Sequence, residues 1–493
     1  MFSKRLLLSV CAAPLALASC TTGLTSAPPV VPGQAAPISS AERQQGQQSS
    51  AQLIEEFGGA WTGAPSAYVE QVARRVATQS GLSATPQDFT VTVLDSPVAN
   101  AFATPGGYIY ITRGLLALID NEAELAAVLG HEVGHVAARH SQRRQEAASR
   151  NSLLGALGQL LVGAVAGDSG LGQLLGQGIG TGTQLATLGY SRSQEEQADD
   201  LGVAYLLDAG YDTEALASML ASLAEQNNLE QQLAGDARIL PEWASTHPDP
   251  ASRVREALAQ AQQAGGTELP RNRDAYLSAI DGMLYGDNPR QGIIEGRTFR
   301  HPELQIAFTV PQGFSMTNGT RAVTITGPNT QAQFSTASFS GDLQGYVRSV
   351  LQSLGGANTN LPAANVQTTR VNGLPAAYAQ VRANTGQSQV DVTVFAYSAG
   401  NRAYHFTVLT PAGQGLGAAS SLVQSFRTLS QSEAAQIRPK YLRVVPVRAG
   451  DTIASLAARM DYESNQLERF LVLNSLSRDS TLRAGDRVKI VTY

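Results

Sequence analysis

The residues most able to do chemistry form one short motif, His131-Glu132-Val133-Gly134-His135. On a helix, His131 and His135 are four residues apart and project from one face. Two imidazoles on one face can hold a metal ion, and the Glu132 carboxylate beside it can accept a proton from an attacking water. The motif therefore predicts metal-dependent peptide hydrolysis. The alternative is a helix with two surface histidines that bind nothing.

A catalytic zinc site keeps three protein ligands and one open position, so a third donor must come from elsewhere in the chain. His140 misses the spacing of the extended motif with a third histidine, and we expect it on the surface. Glu195 is the stronger candidate, because Ser191 or Ser193 can cap a helix on which Glu195 and Asp199 share a face. Asp199 can then accept a hydrogen bond from a ligand histidine. A solvated acidic helix start is the alternative.

Sequence periodicity indicates which elements carry these groups. Asn121 can cap a long helix that contains the motif, and helical periodicity returns at 194–207. Alternating apolar residues at 89–93 and 108–112 predict strands of a small sheet. Residues 155–189, between the two ligand helices, are rich in glycine, and we interpret them as a mobile flap. A lipid-contacting hairpin or a plain insertion is the alternative.

Four blocks that follow one another along the chain carry a family resemblance. They are Asn100–Ala103 with Pro105–Gly107, His131–His135, Ser191–Asp199 and Thr246-His247-Pro248. Together they resemble the zinc endopeptidases of the HtpX and BepA type, which are relatives of the CAAX prenyl endopeptidase. The resemblance covers roughly residues 52–285. It implies a mainly helical gluzincin-type peptidase domain with a small β-sheet.

The resemblance also assigns roles to residues. The implied ligands of one zinc ion per chain are His131, His135 and Glu195. Glu132 is the implied general base, and Asp199 the implied support of a ligand. Many bacterial members have glutamate where this chain has Gln197, whereas CAAX-type relatives have glutamine, so the ligand assignment is barely affected.

Two further groups are candidates for the reaction itself. His247 and Arg253 lie in or near the last block, and either could steady the oxyanion of the transition state. A turn before two prolines is the alternative for His247. Asn100, Gly106 and Gly107 precede a predicted strand whose exposed edge could pair with an extended substrate backbone. A plain turn is the alternative there.

Length and composition bound the architecture. The 493 residues leave room for roughly three domains. Acidic residues number 40 against 35 basic ones, which excludes a basic nucleic-acid binder, and no apolar run is long enough for a polytopic membrane protein. We predict an α+β multidomain protein. Its predicted parts are a signal peptide at 1–19, a flexible tether at 20–50, the metallopeptidase domain at 51–285, a linker at 286–300, an α+β domain of unknown role at 301–430 and a small module at 441–493.

The C-terminal segment 441–493 resembles a LysM module, a small βααβ unit, through Gly450-Asp451-Thr452 and Leu473-Asn474-Ser475-Leu476. Such modules bind glycans that contain N-acetylglucosamine, so the resemblance implies peptidoglycan as a partner. A LysM-like fold without sugar binding is the alternative. The sequence of segment 301–430 shows no grouping of acid, base and nucleophile residues typical of a catalytic site, which indicates a scaffold or interaction domain.

The N-terminus predicts export. Lys4 and Arg5 precede an apolar stretch, and Leu17-Ala18-Ser19-Cys20 resembles a lipobox in which the thiol of Cys20 is lipidated. Ordinary secretory cleavage is the alternative. Thr21 in the next position resembles lipoproteins that are sorted to the Gram-negative outer membrane. We therefore expect a protein that is lipid-anchored on the periplasmic side of that membrane.

Taken together, these patterns predict a zinc endopeptidase that hydrolyses misfolded or misassembled envelope proteins, with Glu132 as the general base. The alternative is an assembly factor or chaperone at the cell wall whose metal site is latent. A third hypothesis, a cell-wall amidase, has less support because the site resembles that of protein endopeptidases.

Overall fold

The structure is a computed structural model that describes residues 30–144, 189–234, 243, 246–337, 339–355, 364–384 and 389–493. The predicted signal peptide with Cys20, and the glycine-rich segment apart from Gly189, lie outside the described residues. None of the helices in the described ranges has the length and apolar character needed to cross a bilayer. The chain mixes helices and strands, with a helical first part and a sheet-rich C-terminal part.

The first part surrounds a three-stranded sheet in the order β1-β3-β2, in which β1 and β3 are parallel and β2 is antiparallel to β3. Its strands are β1 (Thr90–Leu94), β2 (Ala101–Thr104) and β3 (Tyr108–Thr112). Its helices are α1 (Ser40–Glu56), α2 (Ser66–Ala77), α3 (Arg113–Leu118), α4 (Glu122–Ala137), α5 (Arg192–Asp208), α6 (Ala215–Ala234), α7 (Pro250–Ala264) and α8 (Arg273–Ile280).

Helix α1 corrects part of the predicted tether. Ser39 accepts a hydrogen bond from the Glu42 backbone N–H while the Glu42 carboxylate accepts one from the Ser39 backbone N–H, a capping box that starts a helix at Ser40. A side chain at Gly46 would collide with the carbonyl of Pro105, 2.2 Å from its Cβ, so α1 lies directly against the β2–β3 turn. Residues 40–50 are thus a packed helix, and their prediction as a flexible tether was wrong.

The second part, residues 293–429, is called the sheet domain below. A seven-stranded sheet in the order β11-β12-β13-β14-β10-β9-β8 lies beside a four-stranded one in the order β15-β7-β6-β5. Its strands are β5 (Ile293–Glu295), β6 (Thr298–His301), β7 (Ile306–Thr309), β8 (Ser315–Asn318), β9 (Val323–Gly327), β10 (Thr330–Ala337), β11 (Gln367–Val371), β12 (Leu374–Asn384), β13 (Gln389–Ala399), β14 (Arg402–Pro411) and β15 (Arg427–Thr428). Its helices are α9 (Leu343–Gly355) and α10 (Ser420–Ser425), and α11 (Gln431–Gln436) follows it.

The last part, residues 440–493, is called the C-terminal module below. Its elements are β16 (Lys440–Pro446), α12 (Ile453–Ala457), α13 (Gln466–Leu473) and β17 (Arg487–Thr492), in the predicted order of strand, helix, helix, strand. Strand β4 (Leu284–Tyr285) joins the edge of its sheet through β16. The predicted linker at 286–300 contains β5 and most of β6, so the sheet domain begins earlier than expected.

Candidate metal centre

Helix α4 carries the central motif and is buried along its length. The Asn121 side chain accepts a hydrogen bond from the Glu124 backbone N–H at 3.0 Å, which fixes the helix start. Two glycines then let α5 approach closely. A Cβ at Gly134 would lie 3.0 Å from the Ala198 carbonyl oxygen, and a Cβ at Gly202 would lie 3.2 Å from the backbone nitrogen of His131. This contact brings the start of α5 beside the motif.

Four buried side chains from three places in the chain converge at one point. His131, His135, Glu195 and His247 each offer a ligand atom, and these atoms lie within 4.8 Å of one another. The Nε2 atoms of His131 and His135 are 3.0 Å apart. Glu195 lies 3.6 Å from His131 and 3.5 Å from His135, and the Nδ1 atom of His247 lies 3.0 Å from Glu195.

Behind these donors, Asp199 and Arg253 form a charged support. The Nδ1 atom of His131 lies 2.8 Å from Asp199, so its proton faces that carboxylate and its Nε2 atom is left for a metal. Arg253 donates through Nε to Asp199 at 2.8 Å and through another guanidinium nitrogen to Glu195. Because both carboxylates already hold the guanidinium, Arg253 positions Glu195 and Asp199.

His140 is not on the surface, and the sequence prediction was wrong. Its side chain is fully buried; Nδ1 lies 2.8 Å from Nδ1 of His135, and Nε2 lies 2.9 Å from Oε1 of Gln197. The Gln197 oxygen can only accept, so His140 donates from Nε2 and accepts the His135 proton at Nδ1. This chain of hydrogen bonds leaves the Nε2 lone pair of His135 directed at the cluster.

The donor set fits zinc. Catalytic zinc sites commonly use two imidazole nitrogens and one carboxylate oxygen as ligands and keep a fourth position for water or substrate. His131, His135 and Glu195 provide such a set. The Nδ1 atoms of His131 and His135 each lie 2.8 Å from a polar group on the side away from the cluster, Asp199 and His140, which is the usual arrangement around metal-binding histidines. The residues present are therefore suited to hold a zinc ion.

Residues 64–261 match the family description "Peptidase family M48", and this range contains all four converging side chains. These residues form an M48 peptidase domain. The cofactor of this peptidase family is zinc. The matched residues begin just before α2 and end within α7, so α1 and α8 of the helical first part lie outside the match.

Three similar proteins are metallopeptidases or proteases. The beta-barrel assembly-enhancing protease of Escherichia coli O157:H7 is 30% identical over 214 residues, which are 43% of this chain and 42% of that protein. The same protease of Yersinia pestis is 31% identical, over 45% of this chain and 44% of that protein. The Arabidopsis thaliana mitochondrial metalloendopeptidase OMA1 is 35% identical, over 39% of this chain and 36% of that protein. The chain thus spans less than half the length of each relative.

Burial and charge set the protonation of the M48 site. Burial raises the pKa of the Glu132 carboxyl, and the nearby histidines only partly offset it. Burial acts in the same direction on Glu195, but His247, His135 and His131 outweigh it and hold the pKa of that carboxyl well below its usual range. Burial lowers the pKa of His140 to about 4, so this imidazole is neutral. Glu195 is therefore charged and His140 uncharged at neutral pH.

Two aromatic rings fix the imidazoles of the M48 site. Tyr190 stacks on His135 with ring centres 3.7 Å apart, and Trp243 stacks on His247 at 4.2 Å. The Nε2 atom of His247 lies 3.4 Å from Glu132. Sequence reasoning missed both aromatic residues, although Tyr190 directly precedes the predicted cap Ser191 and Trp243 lies one helical turn before His247.

The predicted substrate-binding block forms the β2 edge and its turn. Asn100 is buried just before β2, and β2 is an edge strand of its sheet within the described residues. Gly106 and Gly107 have φ angles of +91° and +86°, and their missing Cβ atoms would lie 2.6 Å and 2.7 Å from backbone oxygens. The positive φ angles of the turn and the close approach of Glu42 and Asp88 explain both glycines, so the free edge of β2 remains the candidate surface for a substrate.

Proposed function

We propose that this protein is a zinc endopeptidase that cleaves peptide bonds within polypeptides. The observation that carries the proposal is the buried convergence of His131, His135 and Glu195, with Glu132 on the same helix as the two histidines. The relatives that share the M48 domain are themselves described as proteases or metalloendopeptidases. A shared domain of this size supports the reaction class.

The roles follow from the chemistry of the donor set. A zinc ion held by the three ligands would make water a stronger acid and polarise the carbonyl of the scissile bond. Glu132 takes the proton from the attacking water and passes it to the leaving nitrogen. Its raised pKa suits both steps, because the group must accept a proton and then release it.

His247 is the better of the two predicted oxyanion groups. The guanidinium of Arg253 is already bound by Asp199 and Glu195, whereas the Nδ1 atom of His247 lies 3.3 Å from Nε2 of His131 and its Nε2 atom lies 3.4 Å from Glu132. Glu195 and Glu132 offset the effect of burial and raise the pKa of His247, which favours a positively charged ring. A charged imidazole there can donate to the oxygen that gains charge in the transition state.

The free edge of β2 is the proposed place for the substrate backbone. An extended polypeptide can add to such an edge by main-chain hydrogen bonds, which accept almost any sequence. Such pairing favours unfolded or misassembled chains, because most strands of a folded protein are already paired with neighbours and its edge strands are usually protected. This suits the proposed substrates, envelope proteins that fail to fold or assemble, and two of the relatives are named for enhancing beta-barrel assembly.

The proposed location is the periplasmic face of the outer membrane, with a lipid on Cys20. Support comes from the sequence alone, through the charged start, the apolar stretch and the lipobox-like residues that end at Cys20. Labelling with a clickable fatty acid in cells should mark the wild type and leave Cys20→Ala unmarked.

Changing Glu132→Gln tests the central proposal. The amide should keep the bound zinc but remove the proton acceptor, and casein cleavage should fall by at least a hundredfold. The matched control is Glu196→Gln, which makes the same chemical change at an exposed neighbour of the ligand Glu195 and should retain activity. Zinc content is measured by elemental analysis and cleavage by peptide release.

Two outcomes would count against the proposal. If Glu132→Gln cleaves casein as fast as Glu196→Gln does, Glu132 is not the general base. If casein cleavage is lost but envelope phenotypes in cells persist unchanged, the alternative assembly role with a latent metal site is supported instead.

Glycan binding is the proposed role of the C-terminal module. A cavity of about 480 Å³ lies between the turn at Asp451 and Thr452 and the loop at Arg478 and Ser480. Its mixed apolar and polar lining suits a sugar ring with its hydroxyl groups. Sedimentation with purified peptidoglycan should pull down the wild type, and Thr452→Trp should weaken it by filling the cavity. Equal sedimentation of both proteins would contradict the proposal.

A further inference from the structure

A second cavity lies between the M48 domain and the C-terminal module, and we call it the junction pocket. Its volume is about 220 Å³. One water occupies about 30 Å³ in the liquid, so the pocket has room for one large side chain. Its lining includes Pro97, Ala99, Leu229, Leu233, Arg469 and Leu473.

The junction pocket continues the free edge of β2. Pro97 and Ala99 line it, and the chain passes from them through Asn100 directly into β2 at Ala101. Helix α3 closes this wall, because a Cβ at Gly114 would lie 2.2 Å from the Pro97 carbonyl oxygen. A polypeptide that pairs with β2 and extends beyond its Ala101 end therefore passes the mouth of the pocket.

The lining suits an apolar side chain from such a polypeptide. Leu229 and Leu233 come from α6, and Leu473 comes from α13. Leu233 is 37% exposed, one of only four large apolar side chains classed as exposed among the described residues. The opposite side of the pocket is polar and is formed by Arg113, Gln226, Glu230 and Arg469. The Arg113 guanidinium is already bound by Asp95 and by the Leu284 carbonyl, and the Arg469 guanidinium lies 4.4 Å from the Tyr462 ring centre. An apolar side chain that enters the pocket would therefore pack on the three leucines and leave the polar side to solvent or to the substrate backbone.

The two sides of the pocket are fixed to each other. Ser222 of α6 lies 2.8 Å from Ser475 of the C-terminal module, oxygen to oxygen. Lys489 of β17 donates to the carbonyl oxygens of Ala117, Leu118 and Ile119 at the end of α3, at 2.7 to 3.0 Å. A pocket built from two units held in this way is preformed, which lowers the entropic cost of filling it.

We propose that the junction pocket is a substrate subsite that takes a large apolar side chain from the part of the polypeptide beyond the Ala101 end of β2. This inference rests on the proposed endopeptidase function. It makes the C-terminal module part of substrate recognition. Cleavage is then preferred in chains that carry an apolar residue at a fixed distance from the scissile bond.

Replacing Leu233→Glu tests the pocket, with Leu258→Glu as the matched control. Both leucines are on helices and both are 37% exposed, but Leu258 lies on α7 and does not line the pocket. We expect Leu233→Glu to raise KM about tenfold for a long peptide that has leucine beyond the cleavage site, with kcat changed less than twofold. Leu258→Glu should keep the wild-type KM. A short peptide that ends before the pocket should give the same kinetics with both variants.

A second variant keeps the test clear if Leu233→Glu folds poorly. Ala99→Leu fills the pocket with an apolar group and should raise KM for the long peptide in the same way. If Ala99→Leu and Leu233→Glu both match Leu258→Glu in KM, the subsite is wrong while the peptidase proposal stands. If Glu132→Gln cleaves normally, the peptidase proposal itself is wrong.

Discussion

The C-terminal module and the sheet domain are attached to the M48 domain in different ways. Apolar residues of the module, such as Leu442 and Phe470, belong to the same buried cluster as Leu129 of the metal-bearing helix α4. The sheet domain has two buried clusters of its own, centred on residues such as Phe406 and Val347. The module therefore completes the peptidase core, whereas the sheet domain has its own.

The polar contacts of the C-terminal module and of the sheet domain with the first part of the chain differ in the same way. Lys489 of the module is fully buried, and its ammonium lies 3.1 Å from Asp120, next to the Asn121 cap of α4. The sheet domain touches helix α1 through Arg321, which is paired with Glu55 and has a side chain 81% exposed. Exposed ion pairs contribute about 0 to 1 kcal/mol, whereas breaking a buried pair costs about 3 to 5 kcal/mol.

Position along the chain therefore does not decide which parts of this protein form one folding unit. The sheet domain lies between the M48 domain and the module in sequence, yet the module crosses back to pair β16 with β4. Two unfolding transitions are expected as a result, one for the M48 domain with the module and one for the sheet domain.

The largest expected effect comes from Lys489→Met. The methionine would leave Asp120 without its buried ammonium partner and three carbonyl groups of α3 without a donor. We expect the free energy of unfolding of the M48 domain to fall by about 3 to 5 kcal/mol. Chemical denaturation, with zinc release as a probe of the M48 domain, measures this change.

Lys440→Met is the control within the same sheet. Lys440 is half-buried on β16, with its ammonium 4.5 Å from the Tyr462 ring centre, and its loss should cost only about 0.5 to 1 kcal/mol. If both lysine variants destabilise the M48 domain equally, Lys489 has no special part in joining the module to it.

Local sequence patterns were sufficient for the elements that carry the metal ligands. Asn121 accepts the hydrogen bond that starts its helix, as the sequence indicated, and of the two candidate serines Ser191 is the one that caps the second helix. The strands at 90–94 and 108–112 follow the alternating apolar pattern. These features depend on neighbours within a few residues, which is why they could be predicted.

His140 could not be predicted because its position depends on distant residues. Helix α4 ends at Ala137, and Arg139 adopts a left-handed φ of +52°, which turns His140 back toward His135. Arg139 is in turn held by Glu42 of α1 at 3.1 Å. The start of α1, which the sequence led us to predict as part of the tether, thus helps to place His140 beside the metal centre.

Lys489 could not be predicted for a similar reason. A lysine between Val488 and Ile490 in a short strand normally indicates a solvent-facing position. Its burial depends on Asp120 and on the end of α3, which lie some 370 residues away in the chain. Only the folded arrangement brings these groups together.

Two leucine truncations compare the two regions directly. Leu442→Ala in the module and Leu422→Ala in the sheet domain remove the same atoms from equally buried sites. Each should cost about 2 to 5 kcal/mol, but in different transitions. Leu442→Ala should destabilise the M48 domain, because the Leu442 backbone is hydrogen-bonded to Gly282 and Met283. Leu422→Ala should lower only the unfolding temperature of the sheet domain and leave casein cleavage unchanged. Calorimetry with a cleavage assay measures both, and a loss of cleavage in Leu422→Ala would mean that the sheet domain is part of the peptidase unit after all.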